Sequence, residues 1–180
     1  MTDDHRERDE EKWLFYALIG YCVTRYQSVE DYLETVFAAA IGVEREKSNA
    51  IYRVARGLEA KLDMITAAFI GADDGHAAKW DRLCGRIAAA ASARNRIAHA
   101  SPVFHGGVHT VMLGENEVVS VTQTEPARME LHKTTKGGTM VWTVSTLREE
   151  SQRSRELFLH LVGFVMELEG KPVGEHLRGG

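Results

Sequence analysis

Proline is scarce in this 180-residue chain: Pro102, Pro126 and Pro172 are the only three, and none precedes residue 101. The first hundred residues therefore lack the residue that breaks helices by removing an amide donor and crowding the preceding turn. Cysteine is scarcer still. Cys22 and Cys84 both fall in apolar helical patterns, which excludes a disulfide framework and a thiolate zinc site. Long apolar runs are missing as well: the uncharged stretch Trp13 to Thr24 has twelve residues, short of the roughly 20 that a membrane helix needs. The start, Met1 to Glu7, is charged and acidic and lacks the pattern of a secretory signal. A cytoplasmic protein without membrane association is the expectation. Basic residues are not in excess either, since Lys and Arg number 22 against 26 acids, for a net charge of −4. Taken alone, that balance argues against a nucleic-acid partner. No phosphate-cradling loop, dinucleotide glycine motif, His-Glu-x-x-His helix or catalytic serine elbow occurs, so those enzyme classes are excluded.

What is present is helical periodicity. Apolar residues at three- and four-residue steps predict a first helix from about Glu10 to Ile41, with Leu14, Leu18, Tyr21, Cys22, Val29, Tyr32, Val36 and Ala40 on one broad face. Ser28 to Asp31 could restart it as a capping box, and Gly42 offers a stop. A second helix is predicted from about Arg45 to Ile70, on Ile51, Val54, Leu58, Leu62, Ile65 and Phe69, ended by Gly71 and Asp73-Asp74-Gly75. A third runs from about His76 to His99 and stops before Pro102, because residues preceding proline avoid the helical region. The pattern then changes. Val108 to Leu113, Glu117 to Gln123, Arg128 to Lys133 and Thr139 to Val144 are short, rich in Val, Thr and Met, and separated by glycine turns. Thr146 to Glu149 fits a capping box for a last helix to about Glu169, striped by Leu157, Leu161, Phe164 and Leu168. The expected fold is one mainly α domain spanning residues 1–180. Its four-helix core covers about 10–101 and 146–169, and a small antiparallel β-sheet is inserted between helices three and four at about 103–145.

The third helix carries the most specific signal. Trp80, Leu83, Ile87, Ala90, Arg94 and Ile97 form an apolar seam containing one arginine, and burying a guanidinium without a partner costs several kcal/mol. Beside it run Cys84, Ala88, Ala91, Asn95 and His99, small residues ending in two polar ones one turn apart. The alanines from Ala88 to Ala91, with Ser92 and Ala93, permit close approach of another helix. A guanidinium, an amide and an imidazole at one helix end suit phosphodiester chemistry. Arginine forks onto phosphate oxygens, and histidine moves protons near neutral pH. The bare spacing Arg-x4-His decides nothing, since fifteen arginines and eight histidines supply it about once by chance and Arg155/His160 repeats it in mid-helix. Arg155 reads as a solvated residue.

The full hexapeptide Arg94-Asn95-Arg96-Ile97-Ala98-His99, at the end of the third helix, resembles the signature of the HEPN superfamily. The helical order, two long helices, a motif helix and a final helix, resembles it too, while the β segment looks like an insertion. The resemblance implies a metal-independent endoribonuclease that works as a homodimer, with two motifs forming one composite site. Arg94 would bind the scissile phosphate, His99 would act as general acid or base as the ribose 2′-OH attacks, and Asn95 would position one of them. No cofactor and no metal are implied. The resemblance covers toxins, antiphage proteins and RNA-targeting CRISPR effectors, so a silencing protein partner is a further expectation. Other members keep the fold as non-catalytic binding or regulatory modules, and the fold alone does not secure activity.

Arg96, Lys133 and Lys136 are candidate substrate-binding residues, the two lysines leading to the Gly137-Gly138 turn of a hairpin whose tip could grip an RNA backbone. A hairpin that simply needs surface charge accounts for them equally. Trp142 is expected to pack on the helices. His99, His105 and His109 have loosely metal-like spacing, yet Pro102 and Gly106-Gly107 interrupt them, and histidines near a loop are the plainer reading. Leu177 to Gly180 resembles a ubiquitin tail, but it follows a helix and reads as a frayed terminus. A third class of function is a helical interaction protein in which Arg94 is a structural pair with Glu30, Asp31, Glu34 or Glu59. Charge is also unevenly spread. Residues 75–100 carry five bases against one acid, while residues 1–12 carry six acids against three bases. The motif helix thus leaves room for one focused phosphate site.

Overall fold

The computed structural model describes residues 3–71, 74–105, 109–113, 118–123 and 128–174. In chain order these form α1 (Asp3–Ile41), α2 (Arg45–Tyr52), α3 (Leu58–Ala68), α4 (Asp74–Ala98), β1 (Ser101–His105), β2 (His109–Leu113), β3 (Val118–Gln123), β4 (Arg128–Thr135), β5 (Gly138–Trp142) and α5 (Val144–Leu168). The protein is mainly helical with a small antiparallel β segment between the fourth and fifth helices. The turns at Gly106-Gly107 and Gly114-Glu115-Asn116, together with Leu177 to Gly180, lie outside the described residues.

α1 is unbroken. Ser28 does not restart it, because its hydroxyl donates to the Thr24 carbonyl one turn back instead of capping a new helix. The buried stripe is Phe15, Leu18, Cys22, Tyr26, Val29, Leu33, Val36 and Phe37. Leu18, Cys22, Val29 and Val36 were legible as core, whereas Leu14 and Tyr21 are exposed. Steps of three and four through Tyr26 and Leu33 hold one phase, and Leu14 and Tyr21 lie one position off it. Gly42, at φ +63°, ends the helix as expected.

The single helix expected over 45–70 is two helices, so the described residues hold five helices, not four. The break is at Gly57, whose φ of +83° and ψ of 161° suit only glycine. Ahead of it the apolar stripe fails: Ile51 and Val54 are exposed, while Tyr52 and Ser48 are buried. The two pieces turn different faces to the core, which one continuous helix cannot do.

Two clusters make the interior. One gathers residues of all five helices, including Leu33, Val36, Tyr52, Ile65, Trp80, Ile87, Leu161 and Phe164. Trp80 stacks on Phe164 with ring centroids 6.2 Å apart, and its indole N–H donates to Thr66 Oγ1 at 2.9 Å. The second cluster joins Phe15, Leu18 and Cys22 of α1, Ile97 of α4 and Leu147 of α5 to Met129, Leu131 and Trp142 of the sheet. The start of α1, the end of α4 and the start of α5 therefore meet, so α4 runs opposite to the other two. Trp142 packs on helices, as expected.

The sheet order is β1-β4-β5, all antiparallel, with β2 and β3 paired separately. β1 was not foreseen as a strand. Pro102 is tolerated there because β1 is an edge strand, paired among the described residues with β4 alone. Along β4, Met129 and Leu131 turn inward, and Arg128, Glu130 and His132 lie on the other face. α5 begins three residues earlier than the Thr146 box would place it. Thr143 is the N-cap, and Thr143 and Thr146 bond reciprocally, Thr143 N–H to Thr146 Oγ1 at 2.8 Å and Thr146 N–H to Thr143 Oγ1 at 3.4 Å.

Candidate functional site

The motif occupies the last turn of α4, where the sheet begins. His99 follows the helix directly, and its amide still donates to the Asn95 carbonyl at 3.2 Å. Ala98, Asn95 and His99 are exposed, Ile97 is buried in the second cluster, and Arg94 and Arg96 are intermediate. The His99 carbonyl, left open by the end of the helix, accepts from Lys133 Nζ at 3.1 Å. This cation from β4 also complements the negative end of the helix dipole.

Arg94 is held on three sides. Its Nη1 donates to Asn95 Oδ1 at 2.8 Å, its Nη2 lies 3.6 Å from Glu30 Oε2, and the guanidinium sits 5.1 Å from the centre of the Tyr26 ring. Its side chain is 27% exposed, and its Nε is buried without a hydrogen-bond partner. Glu30 is shared, since Lys61 Nζ approaches its other oxygen at 3.2 Å. Of the four acids proposed as partners for Arg94, Glu30 fills the place. Burial first, then the neighbouring Glu30, push the Tyr26 hydroxyl up to about 12, so this ring stays neutral beneath the guanidinium. Glu30 also lines a cavity of about 640 Å³ between α1 and the α2–α3 turn, together with Arg45, Tyr52, Arg53, Arg56 and Lys61.

Arg94 and Asn95 are thus brought together, and His99 follows one turn after Asn95 on the exposed side. Its imidazole makes no hydrogen bond or ion pair among the described residues. Arg96 points elsewhere. Two residues on from Arg94, it lies around the helix, donates to Ser92 Oγ at 3.1 Å and lines a groove of about 340 Å³ between α4 and α5 with Arg86, Arg153 and Ser154. Ala89, Ala90 and Ala93 line the same groove, so these small residues of α4 lie beside α5. Lys133 serves the His99 carbonyl, and Lys136 is exposed at the β4–β5 turn. Arg155 is solvated as expected, while His160 accepts from Arg86 Nη1 at Nδ1, 2.7 Å away.

A second polar constellation was not combined in the sequence. His105 of β1 and Glu130 and His132 of β4 converge, with Glu130 Oε2 3.0 Å from His105 Nε2 and 2.8 Å from His132 Nε2. The two imidazole centroids are 5.8 Å apart. Arg128 Nε binds the other oxygen, Oε1, at 3.0 Å. The hydrogen bond from His132 chiefly, with the charges of His105 and Arg128, holds the Glu130 carboxyl below its ordinary value. The signal was Glu130-Leu131-His132, an alternation that places both polar groups on one strand face. His105 could be added only once β1 was known to pair with β4. The looser trio of His99, His105 and His109 is not what assembles: His109 begins β2, in the other sheet, and its side chain lies outside the described residues.

Both cysteines are free thiols, and burial raises each to about 11, which leaves them neutral and unreactive. No helix among the described residues is long and apolar enough to cross a membrane. No family model, no curated protein and no solved structure matches this chain.

Proposed function

We propose that the protein is a HEPN-type, metal-independent endoribonuclease, with the end of α4 contributing Arg94, Asn95 and His99 to a composite site between two copies of the chain. The observation that carries this reading is the state of His99. It is an exposed imidazole with no hydrogen-bond or ion-pair partner among the described residues, at a helix end braced through its own carbonyl by Lys133. A core histidine would be satisfied; this one is free to meet a proton donor or acceptor.

In this reading Arg94 binds the scissile phosphate, and its contacts with Asn95 and Glu30 hold the guanidinium plane in place. The ribose 2′-oxygen attacks phosphorus and loses its proton, while the 5′-oxygen leaves and gains one. The products are a 2′,3′-cyclic phosphate and a free 5′-hydroxyl. Two copies supply two imidazoles, one for each proton transfer. Asn95 positions Arg94, whose Nη1 donates to its Oδ1. A silencing protein partner belongs to the same reading, because an open site of this kind would act on cellular RNA.

The test is cleavage of single-stranded RNA in chelator by wild type, His99→Ala and Arg94→Ala. Both variants should lose at least about 100-fold in rate, the scale of general acid–base and charge-stabilising groups. Full activity in both would remove the assignment.

A second reading rests on the Arg94–Glu30 pair with Tyr26. A guanidinium already paired and resting on an aromatic ring is what a structural arginine looks like, and the helix end would then be a non-catalytic binding or regulatory surface. This reading expects no cleavage by the wild type, but RNA or nucleotide binding that survives His99→Ala.

A further inference from the structure

The His105, Glu130 and His132 constellation stands apart from the Arg94 motif, and it has the make-up of a metal site. Three donor atoms, two imidazole nitrogens and one carboxylate oxygen, all lie within 4.8 Å of one another. A tetrahedral ion with bonds of 2.0–2.1 Å sets its ligand atoms about 3.3 Å apart. The two nitrogens sit 3.0 and 2.8 Å from Glu130 Oε2, so small rotamer changes would bring these donors around one ion.

Strand register explains the convergence. β1 and β4 pair Ser101 with His132, Val103 with Glu130 and His105 with Arg128. Directly opposed residues share a face, so all these side chains lie on one side of the ladder. His105 and His132 lean from either end toward Glu130, between them. Backbone ladders hold ligands more firmly than loops do.

An ion-pair triad alone accounts for the geometry less well. His132 hydrogen-bonds Glu130 Oε2, but His105 Nε2, though 3.0 Å from the same oxygen, is buried and off the hydrogen-bonding direction. A buried nitrogen left in this way costs free energy, and coordination would remove the cost. Glu130 is only 13% exposed, and Arg128 occupies its Oε1, which orients the carboxylate and leaves Oε2 as a single donor. Second-sphere contacts of this type fix metal-binding carboxylates. The arginine charge opposes a cation, but its side chain is half exposed and solvent screens it.

We infer that His105, Glu130 and His132 bind one divalent transition-metal ion of the zinc class, with at least one coordination position open to water or to a ligand. Imidazole and carboxylate donors without thiolate disfavour Cu(I), and calcium and magnesium prefer all-oxygen sets. The inference does not rest on the ribonuclease reading. The site lies on the opposite face of β4 from Lys133, which holds the His99 carbonyl.

The experiment titrates the metal-stripped full chain with zinc by calorimetry and with cobalt by visible absorption. Wild type should take up one equivalent of zinc, and cobalt should give d–d bands without a sulfur charge-transfer band. His105→Ala and His132→Ala should each weaken zinc binding by at least about tenfold, and Glu130→Gln should weaken it too. Zinc should also raise the melting temperature of wild type, since an ion that binds only the folded chain stabilises it. Circular dichroism checks that each variant is folded. Should an alanine variant not fold, wild-type stoichiometry and the cobalt spectrum still decide. Absence of stoichiometric binding to wild type, a thiolate band, or undiminished affinity in the folded histidine variants would overturn the inference.

Discussion

At the level of single residues, the two charged ends of the motif differ sharply in what holds them. Arg94 has Glu30, Asn95 and the Tyr26 ring around it, whereas the imidazole of His99 is exposed and makes no hydrogen bond or ion pair among the described residues. An exposed ion pair contributes about 0–1 kcal/mol, and breaking a buried one costs about 3–5 kcal/mol. At 27% exposure and 3.6 Å, with Lys61 remaining beside Glu30, Arg94 belongs near the lower range. Urea unfolding should therefore show Arg94→Ala destabilised by about 1 kcal/mol and His99→Ala unchanged within about 0.5 kcal/mol. A large stability loss in His99→Ala would mean that the imidazole is structural. The motif was legible from the sequence because its seam placed a charge among apolar residues. The partner was not, because Glu30 lies 64 positions earlier, and Asp31, Glu34 and Glu59 fitted as well on sequence grounds.

At the level of elements, regular helices were easier to read than their boundaries. α4 and α5 follow their predicted stripes because Trp80, Leu83 and Ile87, and Leu157, Leu161 and Phe164, all face the core. The second helix failed as one unit because periodicity cannot see that Gly57 takes a left-handed φ. β1 was hidden because a helix stop before Pro102 reads as a turn, and only the partner strand makes it a strand. The start of α5 is a further case, since Thr146 serves as the third helical residue and not as the cap. Its hydroxyl accepts from the Thr143 amide at 2.8 Å, against 3.4 Å for the reciprocal bond. Thermal and urea unfolding of Thr146→Ala should show a loss of about 1 kcal/mol, the usual worth of a cap. Thr143→Ala, which removes the N-cap oxygen, should lose a similar amount, because Thr143 Oγ1 accepts the longer bond but also contacts Ser145 Oγ at 2.8 Å.

At the level of the whole molecule, stability should depend on pH through His160. Arginine can only donate, so the 2.7 Å contact from Arg86 makes His160 Nδ1 an acceptor and keeps the ring neutral. Burial first, and the charge of Arg86 second, hold this imidazole below its ordinary 6.5. The unfolded chain takes up a proton near 6.5 that the native chain refuses. The stabilising contribution is thus complete above that pH and is lost as pH falls through the lower native value. Unfolding free energies between about pH 7.5 and pH 5 should decline, and His160→Gln should flatten the decline. Glu130 acts in the same direction at lower pH. Its native carboxyl is held below 4.5, so its contribution is present above 4.5 and disappears further into acid. Equal slopes in wild type and His160→Gln would show that another group sets the acid sensitivity.

β4 carries two unrelated sets of side chains on alternate positions: Met129, Leu131 and Lys133 toward the helices, and Arg128, Glu130 and His132 away from them. Because the side-chain period of a strand is two, gain or loss of one residue within 128–133 would exchange the two faces together. The apolar pair would leave the core, the lysine would leave the end of α4, and both imidazole–carboxylate contacts would break in the same step. The β4–β5 turn around Lys136 and Gly137 has no such double duty, and length changes there leave both faces in phase. Descendants of this chain should accordingly vary in length at the hairpin tip and keep the spacing from Arg128 to Lys133 unchanged.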